Sequence, residues 1–82
     1  MRTKDDIIAM VDEELTQARR YHDDFNSAHE GYAVLLEEMD ELKLEVWKKP
    51  HLRDERAMLK EAIQVAAMAI RFVIDCCVAD DK

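Results

Sequence analysis

Apolar residues recur every three or four positions over three long segments, which is the spacing of one face of an α-helix. The pattern predicts helices over residues 4–21, 27–49 and 53–78. Since the chain has one Gly and one Pro, few tight turns are available and a β-sheet is disfavoured. The predicted fold class is therefore all-α, a three-helix chain. The apolar stripes of the first two helices consist of Ile7, Ile8, Val11, Leu15 and Ala18, then Ala28, Tyr32, Leu35, Leu36, Met39, Leu42 and Val46.

The predicted helix ends have local signals. Thr3 can cap the first helix, and Ser27 with Glu30 three residues later is typical of a reciprocal capping box at the start of the second. Gly31, in the first turn of the second helix, leaves room for close approach of another backbone or a ligand. Pro50 disfavours helical geometry at the residue before it and separates the second helix from the third.

The third predicted helix is apolar around almost its whole circumference from Ala57 onward. Such a helix is expected to be central and buried on several sides. Its polar side chains then need partners, and we expect these to be Glu38 and Glu41 across the helix interface, or a metal between them. The polar residues form one stripe that contains Glu61, Gln64, Arg71 and Asp75. The aromatic residues Tyr32, Trp47 and Phe72 are expected in the core rather than stacked on a ligand.

Composition narrows the class of protein. The 82 residues are expected to form one domain, 1–82, and with 49% hydrophobic residues a chain this short is expected to self-associate. A net charge of −7 disfavours nucleic acid and anionic membrane as partners, and no apolar run is long enough to span a membrane. The adjacent Cys76 and Cys77 cannot provide a disulfide framework, so we expect a cytoplasmic protein with both thiols buried as small hydrophobes.

An acidic ridge follows the second predicted helix. Glu38 and Glu41 share a face, with Glu45 one turn further, and this ridge lies beside the apolar stripe. Carboxylates crowded at the edge of a core need a counter-charge, and oxygen ligands suit Mg²⁺ or Mn²⁺. An acidic cluster on one helix is more often a solvated face, so the prediction of a metal site depends on Glu61 from the third helix.

These motifs resemble the all-α nucleoside triphosphate pyrophosphohydrolases of the MazG-like superfamily, particularly its small phage and bacterial members. The resemblance is carried by residues 25–34, by the acidic run EEMDE at 37–41 and by EAIQVAAMAIR at 61–71. It covers most of the chain. The fold that it implies is a helical bundle, which we expect to be completed by pairing of the second and third helices in a homodimer or higher homo-oligomer.

The resemblance implies a magnesium-dependent (or manganese-dependent) hydrolysis of nucleoside triphosphates to monophosphate and pyrophosphate. Glu38, Glu41 and Glu61 match metal ligands and Glu37 a supporting position. The fourth family ligand, an Asp, falls on Gln64, whose amide oxygen can coordinate a metal but brings no charge. The catalytic candidates that orient or deprotonate water are Glu37 and Glu38, and the phosphate-binding candidates are Arg71, Lys48 and Lys49.

Three interpretations stay open at this point. The first is a metal-dependent pyrophosphohydrolase, and the second is a non-catalytic MazG-like bundle that binds metal, nucleotide or protein. The third is a plain oligomeric helical bundle. For Lys48 and Lys49, the alternative to phosphate binding is ordinary charge compensation at the C-terminal end of the second helix. Gln64, which replaces the fourth acidic ligand, is the residue that discriminates between the first two interpretations.

Overall fold

The computed structural model of the protein describes residues 2–77 and contains three α-helices over that range. These are α1 (Lys4–Tyr21), α2 (Ala28–Val46) and α3 (Glu55–Cys76), with a single 3₁₀ turn at Pro50–Leu52 between the last two. The described residues contain no strand, so the all-α prediction is confirmed. None of the helices within residues 2–77 combines the length and apolar character needed to cross a bilayer. The predicted helix end at Val78 lies outside the described residues.

The helix starts follow from short polar side chains. Thr3 Oγ1 accepts a hydrogen bond from the Asp6 N–H at 3.1 Å, and the Asp6 carboxylate accepts from the Thr3 N–H at 2.9 Å. Ser27 Oγ accepts from the Glu30 N–H at 3.1 Å, as predicted. The Glu30 carboxylate, however, accepts from the N–H of Asn26 at 2.6 Å rather than from that of Ser27, so the predicted reciprocal bond is displaced by one residue.

The turn between α2 and α3 is longer than predicted. Helix α2 ends at Val46 rather than 49, because Pro50 holds Lys49 in extended geometry (φ −57°, ψ 145°). Arg53 Nε donates to the Val46 carbonyl oxygen at 2.8 Å and so satisfies an acceptor that the helix end leaves free. Helix α3 begins at Glu55 rather than 53 because the Asp54 side chain caps it, accepting from the Arg56 N–H at 2.9 Å.

Helix α3 lies in the middle of a single layer of three helices. Within residues 2–77, α1 and α2 each pack on α3, and no Cα atom of α1 lies within 8 Å of a Cα atom of α2. Ala67, at the centre of α3, is fully buried. A Cβ atom at Gly31 would come within 2.7 Å of the Phe72 ring and 3.0 Å of the Phe25 ring. The room predicted at this glycine is thus used by two aromatic side chains, of which Phe25 is buried.

The structure buries fewer of the aromatic and apolar side chains than the sequence predicted. Tyr32 and Trp47 are 61% and 73% exposed, so the expectation of a core role is wrong for both, while Phe72 is half-buried. A layer with one helix at its centre buries only the stripes that meet inside it. One side of α3 is consequently open, and the prediction that it is covered almost all round is wrong. The exposed apolar side chains of α2 and α3 also include Leu36, Met39, Leu44, Ile70, Val73 and Ile74.

The two cysteines differ in their environment. Cys76 is half-buried with its Sγ 3.8 Å from the Ser27 carbonyl oxygen, and desolvation raises the pKa of its thiol. Cys77 is exposed, so the expectation that it is a buried small hydrophobe is wrong. Adjacent side chains on a helix point about 100° apart. Cys76 therefore faces the start of α2, whereas Cys77 points into solvent.

Candidate functional site

Three glutamates from two helices converge on one edge of the layer. Glu38 and Glu41 lie three residues apart on one face of α2, and Glu61 meets them from α3. One carboxylate oxygen from each side chain lies within 4.8 Å of the other two. Glu38 and Glu61 are half-buried and Glu41 is exposed. The structure therefore brings together the three carboxylates that the sequence analysis grouped.

Gln64, one turn after Glu61 on α3, lies against the same cluster. With its orientation assigned from its neighbours, the amide nitrogen donates to Glu38 Oε1 at 2.9 Å and to Glu61 Oε1 at 3.1 Å. In this arrangement Gln64 is a neutral donor that bridges two carboxylates across the helix interface. Coordination of a cation through the amide oxygen, as the sequence analysis expected, requires the amide to turn over.

The surroundings compensate the negative charge of the cluster only in part, since Lys60 lowers the pKa of Glu61 but the net shift is still upward. Desolvation raises the pKa of Glu38, and the nearby carboxylates of Glu41, Glu61, Glu14 and Glu37 raise it further. Desolvation likewise raises the pKa of Glu61, with Glu41 the next cause. Each of these shifts means that the ionised form costs more free energy in the folded chain than in the unfolded chain. A cation would remove that cost.

The raised pKa of Glu38 predicts a specific pH dependence of stability. Because the folded chain holds its proton more tightly than the unfolded chain, the carboxyl group favours folding below the unfolded pKa, near 4.5, and opposes it as pH rises through the folded pKa. In EDTA, Glu38→Gln should therefore be more stable than wild type at pH 7–8, with the gap closing towards pH 4.5. Denaturant unfolding across this range measures it, and a gap that widens on acidification would contradict it.

A cleft of about 640 Å³ adjoins the carboxylate cluster. It lies between α1 and α2, with α3 as its floor, because the backbones of the two outer helices do not meet. The walls include Glu14 and Gln17 from α1 and Glu37 and Glu38 from α2. The residues of α1 were not predicted to belong to the site, although Glu14 sits next to Leu15 at the edge of an apolar stripe, as Glu38 does on α2. The floor contains Gln64, Met68 and Arg71.

Arg71 is buried at one end of this floor, but its partners differ from those predicted. Its Nε lies 3.6 Å from Asp75 Oδ2, its Nη2 donates to the Asp23 carbonyl oxygen, and its guanidinium lies 4.1 Å from the centroid of the Phe25 ring. The expectation that Arg71 and Asp75 pair with Glu38 and Glu41 is therefore wrong. The i,i+4 spacing lets Arg71 and Asp75 satisfy each other within α3.

The other two phosphate-binding candidates lie away from the cleft. Lys48 and Lys49 line a separate surface hollow with Trp47 and Arg53 at the α2–α3 turn. Lys48 Nζ forms an ion pair with Glu45 at 2.9 Å. Helix α2 continues for eight residues beyond Glu38, about 12 Å along its axis, and Lys48 lies past the helix end at Val46. The structure therefore does not bring the lysines together with Arg71.

Comparison with known proteins returned no matching protein family, no matching curated protein and no matching solved structure. The resemblance to the MazG-like superfamily therefore stays a prediction that rests on the sequence motifs.

Proposed function

We propose that the chain binds Mg²⁺ or Mn²⁺ through Glu38, Glu41 and Glu61 and acts as a MazG-like nucleotide pyrophosphohydrolase. The substrate would be a nucleoside triphosphate and the products a monophosphate and pyrophosphate. The observation that carries this proposal is the convergence of three carboxylates within 4.8 Å beside a cleft.

The residues present fit a hard divalent cation. All three charged donors are carboxylate oxygens, the ligand type that Mg²⁺ and Mn²⁺ prefer. The pKa of Glu38 and that of Glu61 are both raised, which is expected of a site whose charge balance includes a cation. Gln64 lies within hydrogen-bond distance of two of these ligands, so a turned amide would place its oxygen among them.

The bound cation would supply charge neutralisation for the phosphates and acidify a water molecule. Glu37 lines the cleft beside the cluster without belonging to it, so its carboxylate is free to take a proton. In the reaction, the oxygen of water bonds to the α-phosphorus, the bridging α–β P–O bond breaks, and pyrophosphate leaves. Glu37 accepts the proton of the water, and Glu38 is the alternative acceptor on the same wall.

A second function is favoured by Gln64. Its two donated hydrogen bonds hold Glu38 and Glu61 together without a fourth carboxylate. The lysines also lie at the turn rather than at the cleft. These observations favour a non-catalytic helical module that binds a cation, a nucleotide or a protein.

Release of pyrophosphate from a panel of (d)NTPs in Mg²⁺ or Mn²⁺ tests the proposed activity. We expect turnover by wild type and at least a hundredfold loss in Glu41→Gln, because that change removes one ligand charge from an exposed position where folding tolerates it. Glu13→Gln, an equal change on the exposed side of α1, is the matched control and should retain activity.

The outcomes separate the candidate functions. Absence of turnover together with a metal-induced rise in melting temperature would establish the binding module instead. Absence of both responses would leave an oligomeric bundle and overturn the cation site. Self-association also belongs to the proposal, since three helices in one layer leave apolar surface uncovered.

A further inference from the structure

The two most exposed leucines among residues 2–77 and the single tryptophan of the chain lie at one end of the helical layer. Leu44 and Leu52 are 68% and 60% exposed, and Trp47 is 73% exposed. Leu44 and Trp47 lie three residues apart at the end of α2 and share a face, and Leu52 belongs to the 3₁₀ turn that follows. Large apolar side chains concentrated at one exposed place indicate an interaction site. We call residues 43–56 the turn surface.

The turn surface is positively charged, although the chain as a whole is negative. Residues 43–56 contain five basic and three acidic residues, a net charge of +2, so the remaining residues carry −9 and the total is −7. Two of the acidic residues, Asp54 and Glu55, lie at the start of α3, where the Asp54 side chain caps the helix. The third, Glu45, is paired with Lys48. The basic residues that form no ion pair within residues 2–77 are Lys43, Lys49, Arg53 and Arg56.

The hollow at the turn places several of these cations around Trp47. It has a volume of about 370 Å³, and its walls include Trp47, Lys48, Lys49 and Arg53. Lys43 approaches the aromatic ring from α2, with its Nζ 5.7 Å from the ring centroid, which is within the range of a cation–π contact. The exposed ring is therefore surrounded by positive charge, and a partner that contacts Trp47 must also accommodate these cations.

An anionic phospholipid surface has the chemistry that matches this combination. A tryptophan ring settles at the headgroup level, where its apolar body is buried and its N–H stays hydrated. Leucine side chains reach the acyl boundary, and lysine stems cover apolar surface while their ammonium groups contact lipid phosphates. A purely acidic peptide would satisfy the cations but would give Leu44 and Leu52 no apolar partner.

The negative charge of the rest of the chain opposes this contact only weakly. At physiological ionic strength the screening length is about 8 Å, whereas the longest dimension of the molecule is 48 Å. Asp23 and Asp24, in the α1–α2 connector, lie at the opposite end of the layer and so several screening lengths away. The net charge of −7 disfavours an anionic partner for the chain as a whole, but the local charge of the turn surface decides what that surface approaches.

We propose that the turn surface docks on an anionic phospholipid bilayer, with Trp47 at the headgroup level and Leu44 and Leu52 at the acyl boundary. The cleft extends from Glu38 towards the α1–α2 connector, away from the turn, so it stays in water when the turn surface is docked. This inference goes beyond the proposed function and does not depend on the cation site.

Emission of the single tryptophan reports directly on this docking. In EDTA at low ionic strength, vesicles of phosphatidylcholine with about 30% phosphatidylserine should shift the Trp47 emission to shorter wavelength, because the exposed ring enters a less polar environment. Vesicles of phosphatidylcholine alone should leave the emission unchanged, and about 0.5 M salt should reverse the shift. No shift with the anionic vesicles would overturn the proposal.

Co-sedimentation with the anionic vesicles tests charge and apolar contact separately. Lys49→Glu should weaken binding at least tenfold, since each unit of charge at such a surface changes affinity about fivefold and this substitution changes two. Arg20→Glu, the same change in the last turn of α1 at the opposite end of the layer, is the matched control and should bind within about twofold of wild type. Leu52→Gln should weaken binding severalfold with unchanged helical circular dichroism, because Leu52 is exposed.

The outcomes distinguish a lipid surface from an acidic protein partner. Poly-glutamate that shifts the Trp47 emission when anionic vesicles do not would assign the turn surface to an acidic protein and overturn the proposal. Equal weakening by Lys49→Glu and Arg20→Glu would show that the overall charge governs binding, and unchanged binding of Leu52→Gln would show adsorption by charge alone. Either of these results would also overturn the proposal. Since all measurements are made in EDTA, failure of the cation site leaves each expected result as it is.

Discussion

Asp75→Ala is expected to lower the free energy of unfolding by about 3–5 kcal/mol, the cost of removing one member of a buried ion pair. The Asp75 side chain is 2% exposed. It accepts a hydrogen bond from the Phe25 N–H at 3.1 Å and lies 3.6 Å from Arg71 Nε. Alanine would leave the buried guanidinium without its counter-charge and the N–H of Phe25 without its acceptor. The connector between α1 and α2 would at the same time lose one of its two attachments to α3, leaving only the bond from Arg71 to the Asp23 carbonyl oxygen.

Equilibrium denaturation at one fixed protein concentration measures this effect. Arg19→Ala is the matched control, because Arg19 also pairs with Asp75, at 3.4 Å, but has a side chain that is 41% exposed. Removing such a pair should cost about 1 kcal/mol or less. Asp75→Asn, which can still accept from Phe25, should fall between the two. Equal losses of unfolding free energy in Asp75→Ala and Arg19→Ala would show that the buried pair stabilises the fold no more than the exposed pair does.

Gln64→Glu is expected to strengthen Mn²⁺ binding by about ten- to a hundredfold and to destabilise the metal-free chain. The change preserves the shape of the side chain but adds a fourth carboxylate and removes the donor shared by Glu38 and Glu61. Two unit charges about 4 Å apart near a protein surface interact by about 4 kcal/mol, and partial exposure reduces this to the stated range. Without metal, repulsion between the new carboxylate at residue 64 and those of Glu38 and Glu61 opposes folding.

Calorimetric titration with Mn²⁺ and melting curves in EDTA measure the two effects. Gln17→Glu is the control. Gln17 lines the cleft from α1, so this substitution adds the same charge to the cleft but outside the carboxylate cluster. It should change Mn²⁺ affinity only a few fold. Equal gains in both variants would mean that the charge of the cleft, rather than a ligand position at residue 64, governs binding. Unchanged affinity in Gln64→Glu would argue against a cation at the cluster.

Local rules were enough to predict the helices and the carboxylate cluster. The caps at Thr3 and Ser27 depend only on residues three positions away. The grouping of Glu38 with Glu41 needs only the helical repeat, and Glu61 follows once α3 is recognised as the packing partner of α2. These features could be predicted because each is fixed by spacing along the chain.

Other features depend on how the helices are rotated about each other. Arg71 could pair with Asp75 on its own helix or with carboxylates on α2, and the choice depends on how α3 is rotated relative to α2 and to the connector that carries Asp23. The exposure of Tyr32 reflects the absence, within residues 2–77, of a fourth element over that side of the layer. The contribution of Glu14 to the cleft likewise requires the angle at which α1 meets α3.

The gap between α1 and α2 has a mechanical consequence. The two helices are tied together at one end by their short connector, which Arg71 and Asp75 fasten to α3. Towards the other end, α1 is restrained only through α3. A ligand in the cleft that contacted Glu14 on one wall and Glu38 on the other would link the two outer helices directly, so occupancy of the cleft would stiffen α1 relative to α2.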